Sequence, residues 1–193
     1  MNMENNLDNK SSFEKFLTYR KRMSRMCTAQ AIYLLCINEM NDSEIKNSMI
    51  QSDQDIKNQV ENLLMQIMYF YNNPLISESN SNWSPGEAYK KIDIKHCQDI
   101  LHHVIKHKDF IDSHISKFLK ENWTIDKLDL LIKSILRSAV AEAMRSDKPD
   151  TPIVTSESTN LASKFLFQKQ IGFVNGVLDK AVKSIRESQK YDS

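Results

Sequence analysis

Between Lys15 and Asn38 stand five cations and no carboxylate: Lys15, Arg20, Lys21, Arg22 and Arg25. The whole chain has a formal net charge of only +1, so this excess is local. Guanidinium and ammonium groups gathered on one helix hold phosphate oxygens, arginine through paired N–H groups and lysine as a point charge. On a helical projection Met23, Cys27, Ala31 and Leu34 share one face, while Lys21, Arg22, Arg25 and the small Ala29 lie on the other. The spacing predicts that one face packs and the other offers cations, with Arg20 nearer the apolar side. A solvated face of arbitrary sign, or one that meets an acidic protein, fits the same pattern.

The other residue types capable of chemistry give less. His103 and His107 are four apart, and His96 projects onto their face, a spacing that a metal site can use. That face is expected to look to solvent, and no H-E-x-x-H pattern or nearby cysteine completes a ligand set, so no metal or other cofactor is expected. Cys27, Cys36 and Cys97 are odd in number and form no C-x-x-C pair, as in a reducing compartment. Gly176 sits inside a helical pattern and away from its apolar stripe. A mid-helix glycine costs about 1 kcal/mol relative to alanine, so either another group approaches the backbone there, with Asn175 beside it, or the position simply tolerates it.

These residues need helices to position them. Three glycines and four prolines leave little punctuation for hairpins, and the chain reads as all-α. The centre is predicted to be one helix from Ile125 to Arg145, capped by Thr124, because its apolar positions span more than the ~100° stripe of a surface helix. Lys133, Ser134 and Arg137 are left for its polar side. Around it come a first helix from about Phe13 or Thr18 to Glu39 and two amphipathic segments between Asn41 and Asn73. The clearest stripe there is Ile56, Val60, Leu63, Leu64, Ile67, Met68 and Tyr71. Further helices are predicted from Asp93 to Lys108, around Phe110 to Leu119, and from Thr151-Pro152. After a break at Gln168 to Gly172, a last helix carries Val174, Val177, Leu178, Ala181, Val182 and Ile185.

The polar, Asn-rich residues 1–12 are expected to be a disordered leader. A helical domain then spans 13–187 as two subbundles, about 13–73 and 93–187, with a tail at 188–193. The linker between them, about 74–92, holds the Ser77 to Gly86 stretch with Trp83. At 193 residues such a chain buries roughly 70% of its surface without disulfide staples. Its longest apolar run, Ala31 to Ile37, falls well short of the ~20 residues that span a bilayer, and its polar start is no signal peptide. A cytoplasmic protein with no membrane partner is expected.

One stretch is more specific. Phe173-Val174-Asn175-Gly176-Val177-Leu178-Asp179-Lys180 resembles the signature of the NusB family of transcription antitermination factors. Other stretches agree in order: Arg20-Lys21-Arg22 through Arg25 with Ala29-Gln30-Ala31-Ile32-Tyr33, then Trp123 to Asp129 through Ile135-Leu136-Arg137, then Ser156-Glu157 with Leu161 to Phe165. Met23 interrupts the basic run, Ser156 replaces the usual asparagine, and Leu166 replaces a common glycine. The resemblance implies an all-α, NusB-like bundle of two three-helix subbundles around a long central helix. It further implies binding of the boxA element of nascent ribosomal RNA together with NusE, a small-subunit ribosomal protein, in an antitermination complex with RNA polymerase. Arg20, Lys21, Arg22, Arg25, Lys169, Gln170 and Asn175 are then the expected RNA contacts and Tyr33 the expected partner contact, with no catalytic step. The alternative is a helical protein-interaction module with no specific RNA binding. A third possibility, the RNA-binding part of a ribosomal RNA methyltransferase, is disfavoured because the chain ends soon after the last helix and has no G-x-G-x-x-G.

Overall fold

The computed structural model describes residues 3–41, 52–72, 92–145 and 150–191, and among these there is no strand. The described residues form seven α-helices, in order α1 (Met3–Asn41), α2 (Asp53–Asn72), α3 (Ile94–Lys106), α4 (Lys108–Ser116), α5 (Leu130–Met144), α6 (Thr151–Ala162) and α7 (Gln168–Tyr191). A 3₁₀ turn, Ile125–Lys127, precedes α5. The expected linker at Ser77 to Gly86, with Trp83, lies outside the described residues.

The first helix is longer than its apolar pattern predicts. Met3–Asn41 contains neither glycine nor proline, so nothing interrupts the hydrogen-bond ladder once it forms. The helix therefore runs through residues 3–12, which were expected to be disordered. Of the side chains described in α1, from residue 14 on, residues 14–19 are exposed and Ser24 is the first that is buried. From there Cys27, Thr28, Ala29, Ala31, Ile32, Leu35 and Cys36 pack into the core.

The centre of the molecule is α5, which packs against α1, α3, α4, α6 and α7. It is not one helix from Ile125. Leu128 turns extended at ψ 144°, and Asp129 restarts the helix by accepting the Leu131 and Ile132 N–H groups at 2.9 and 3.3 Å. Thr124 makes no side-chain cap. Asp129 supplies the oxygen that the orphan N–H groups need, which is why the α-helix proper begins there. Nor does α5 keep a solvent side. Every residue from Ile132 to Ala143 is buried, including Lys133, Ser134 and Arg137. The Arg137 guanidinium donates to both Asp112 oxygens, at 2.8 and 2.7 Å, and to Cys36 Sγ.

The remaining corrections are local. Asp150, not Thr151, precedes α6, and Pro152 falls in its first turn. The break before α7 is at Ser163 to Phe167, so Gln168 to Gly172 are helical. Gln170 makes this possible by accepting the Phe167 N–H on its side-chain oxygen at 3.0 Å, a capping-box contact. His114 is buried and its Nε2 meets Ala181 O at 3.0 Å, tying α4 to α7.

Candidate nucleic-acid interface

Helix α6 lies against both α1 and α7 and so joins the basic strip of α1 to the α7 residues Lys169, Gln170 and Asn175 that the family resemblance names. On α1, Lys21 and Arg22 are exposed. Arg22 donates from Nε and Nη2 to the two oxygens of Glu157 on α6, at 2.7 and 2.8 Å. Its side chain remains 55% exposed, so a solvent edge of the guanidinium stays open. The hydrogen bonds from Arg22 hold the Glu157 carboxyl below its ordinary range, against partial burial. Arg20 is half-buried and stacks its guanidinium over Phe16, 5.9 Å from the ring centre.

Arg25 is a different case, because it is not on the exposed cationic face at all. The residue is 4% exposed and forms two bonds to the buried Glu142 of α5, at 2.8 and 2.6 Å. Ala29, placed on the same outer face by the projection, is buried as well. The two-faced helix fails here because α1 is enclosed by α2, α3, α5 and α6, which leaves only a narrow outer strip. His96, expected on a solvent face, belongs to the same buried cluster. Arg145 donates to His96 Nδ1 at 3.1 Å, and His96 Nε2 lies 3.6 Å from Glu142. Arg145 also reaches Asp99 at 3.2 Å. Among the described residues no group of histidine, cysteine or acidic side chains is arranged to hold a metal.

On α7, Lys169 is exposed and Gln170 half-buried. Asn175 holds helices together, its oxygen accepting from Thr159 of α6 at 3.1 Å and its nitrogen donating to Asp179 at 3.3 Å. Gly176 is exposed, and a Cβ there would meet nothing within 4 Å, so no part of the described fold requires the glycine.

Two grooves open along this side. One, of about 610 Å³, is lined by Arg22, Met23, Met26, Glu157, Leu161 and Lys164 among others. The second, of about 460 Å³, shares Met26 and Leu161 with it and adds Gln30, Tyr33, Phe165, Phe167 and Gln170. Sequence reasoning missed Glu157 as the partner of Arg22 and passed over Lys164 and Phe167 as site residues. For Phe167 the pattern gave no signal: it stands seven residues before Val174, at the spacing of the α7 apolar stripe, and so reads as a core position.

Exposed cations beside aromatic and amide side chains, on a scaffold that is helical among the described residues, define a helical-bundle protein whose surface chemistry suits nucleic acid. The comparisons with known proteins make that class particular. The NusB family model matches residues 72–183, and the chain belongs to the NusB family. The transcription antitermination protein NusB of Psychromonas ingrahamii is 34% identical over 105 residues, which cover 54% of this chain and 70% of that protein. The NusB of Clostridium tetani is 25% identical over 169 residues, 86% of this chain and 99% of its own length. Among solved structures, T. maritima NusB superposes with a TM-score of 0.59 at 17% identity, covering 89% of this chain and 96% of that one. A chain from the complex of antitermination factors NusB and NusE with dsRNA superposes at 0.53 and 20% identity, covering 86% and 97%. At those identities the two structures speak for the fold.

Proposed function

We propose that this chain is a transcription antitermination factor that binds the boxA element of nascent ribosomal RNA together with NusE, and so helps RNA polymerase pass terminators in the cytoplasm. Membership of the NusB family, matched across residues 72–183, carries this reading. The geometry supports it: Lys21, Arg22, Lys164 and Lys169 are exposed on α1, after α6 and on α7, and α6 packs against both of those helices. Arg20, Lys21, Arg22, Lys169 and Gln170 are the proposed RNA contacts. Arg25 and Asn175 act through position, the first by pinning α1 to Glu142 and the second by joining α6 to α7. Tyr33, exposed at the rim of the second groove, is the proposed contact for the protein partner. The helices are proposed to form two three-helix subbundles that meet where α1 packs on α5.

Recognition of this kind needs no bond to be made or broken, and we read the protein as a binder, not a catalyst. The test is filter binding of boxA RNA and of a scrambled RNA of equal length. Tighter binding of boxA is expected. Equal affinity for both would leave a non-specific cation face, and no binding of either would favour the protein-interaction module.

A further inference from the structure

Resting on that reading, we infer that the groove beside α7 is a stacking site for an unstacked nucleobase, with Phe165 and Phe167 as its aromatic surface. The two rings are 52% and 83% exposed, and both line the groove of about 460 Å³. Phe167 occupies the position just before α7, where serine, threonine, aspartate or asparagine is preferred because its side chain caps the helix. Here the cap is supplied from the other direction, by the Gln170 side chain bonded to the Phe167 N–H. Phe167 O in turn accepts the Gln170 and Ile171 N–H groups, at 2.9 and 3.0 Å. An apolar ring at this position adds nothing to the helix start, yet the backbone that carries it is fixed. The outcome is a large exposed ring on a rigid mount.

The surroundings select a nucleobase over an apolar peptide side chain. The groove floor is apolar, with Met26, Leu131 and Leu161, and two primary amides, Gln30 and Gln170, stand in its lining. Rings take the faces of unstacked bases and amides take their edges. The lining also holds the carboxylate of Asp129, which accepts the Leu131 and Ile132 N–H groups, and the cations around the groove suit the backbone that a base brings with it. Lys164 and Lys169 flank the Phe165 to Phe167 turn and are exposed, and the adjoining groove carries Arg22. A phosphate on these cations keeps the attached base within reach of the rings.

The test uses the full chain and single-stranded boxA RNA in which 2-aminopurine replaces one adenine at a time, with matched RNAs abasic at the same positions. Wild type is expected to quench 2-aminopurine fluorescence at one position. Phe167→Ala should abolish that quenching and weaken binding roughly 5- to 150-fold, with the salt dependence unchanged because no phosphate contact is lost. Phe167→Trp should retain both, and on RNA abasic at that position Phe167→Ala should cause no further loss. Because the ring is exposed, these variants should keep the wild-type helical melt. Unchanged affinity in Phe167→Ala, or the same loss on intact and abasic RNA, would overturn the stacking site. So would weakened binding of NusE with RNA affinity intact, since the groove would then belong to the protein partner. If wild type binds RNA through Lys21 and Arg22 but ignores Phe167, only this inference fails, whereas no RNA binding by wild type ends both readings.

Discussion

At the scale of single residues, Arg22 and Arg25 are three apart on one helix and do opposite work. Reversing Lys21 and Arg22 to glutamate should remove two phosphate contacts, so the slope of log affinity against log salt should flatten by about 1.4, at about 0.7 per contact on single strands. The fold should survive at some loss of stability: the Arg22 side of its pair is 55% exposed, but Glu157 is 14% exposed and would face a like charge in place of its cation. Arg25→Met should instead destabilise by about 3 to 5 kcal/mol, read as a lower urea midpoint, because Glu142 would be left buried without its partner. An Arg25→Met protein that melts like wild type would mean that the buried pair is dispensable. Nothing in the sequence separates the two arginines, since both fall on the polar side of the projection. What distinguishes them is Glu142, 117 residues away from Arg25 along the chain. The same cluster makes stability depend on pH. Burial holds the His96 ring below its usual range, the Arg25 and Arg145 charges add to this, and Glu142 opposes it. As pH falls through about 6.5 the unfolded ring takes up a proton that the folded ring resists. The unfolded state then binds more protons, so stability falls on acidification below that point. His107 is shifted the same way by burial and then by His103, and it adds to the slope. The loss of stability between about pH 7 and pH 5.5 should be smaller in His96→Gln than in wild type, and an identical slope would clear His96 of the effect.

At the scale of elements, apolar stripes were legible wherever one face meets the core and the other meets water. The α2 positions Ile56, Val60, Leu63, Leu64, Ile67 and Met68 are all buried, as are the α7 positions from Val174 to Ile185 that the pattern named. Periodicity fails where burial is complete: α5 has no wet face, and its Lys133, Ser134 and Arg137 are enclosed by neighbours that a single stripe cannot reveal. Boundaries fail for a related reason. The break before α7 depends on one amide, Gln170, reaching back to Phe167, and the start of α5 depends on which of Thr124 and Asp129 turns its oxygen onto the helix. The start of α1 bears on what its first turns do. Residues 14–19 are exposed and Ser24 is the first buried side chain after them, so this stretch of the helix adds nothing to the core. Deleting residues 1–12 should remove helical signal in proportion to length and leave one cooperative melt with an unchanged midpoint. A lower midpoint would show that this end of α1 docks on the bundle.

At the scale of the molecule, a net charge of +1 limits what the chain can do alone with RNA. As the proposed phosphate contacts, Lys21, Arg22, Lys164 and Lys169 would give an attraction that is mostly indifferent to sequence, because phosphate contacts position a nucleic acid and base contacts select it. Selection of boxA therefore calls for a second protein surface on the same RNA, and the proposed partner is NusE. If both proteins touch one RNA, their affinities must be linked, and a coupling of about 1 to 3 kcal/mol corresponds to RNA binding about 5- to 150-fold tighter with NusE present. Linkage is reciprocal, so RNA should tighten the protein pair by the same factor. Titrating each component against the other two by calorimetry measures both legs independently. Equal factors on the two legs are the expected result, with the gain larger for boxA than for scrambled RNA. The same RNA affinity with and without saturating NusE would sink the cooperative scheme and leave a chain whose cations and rings must read the RNA unaided.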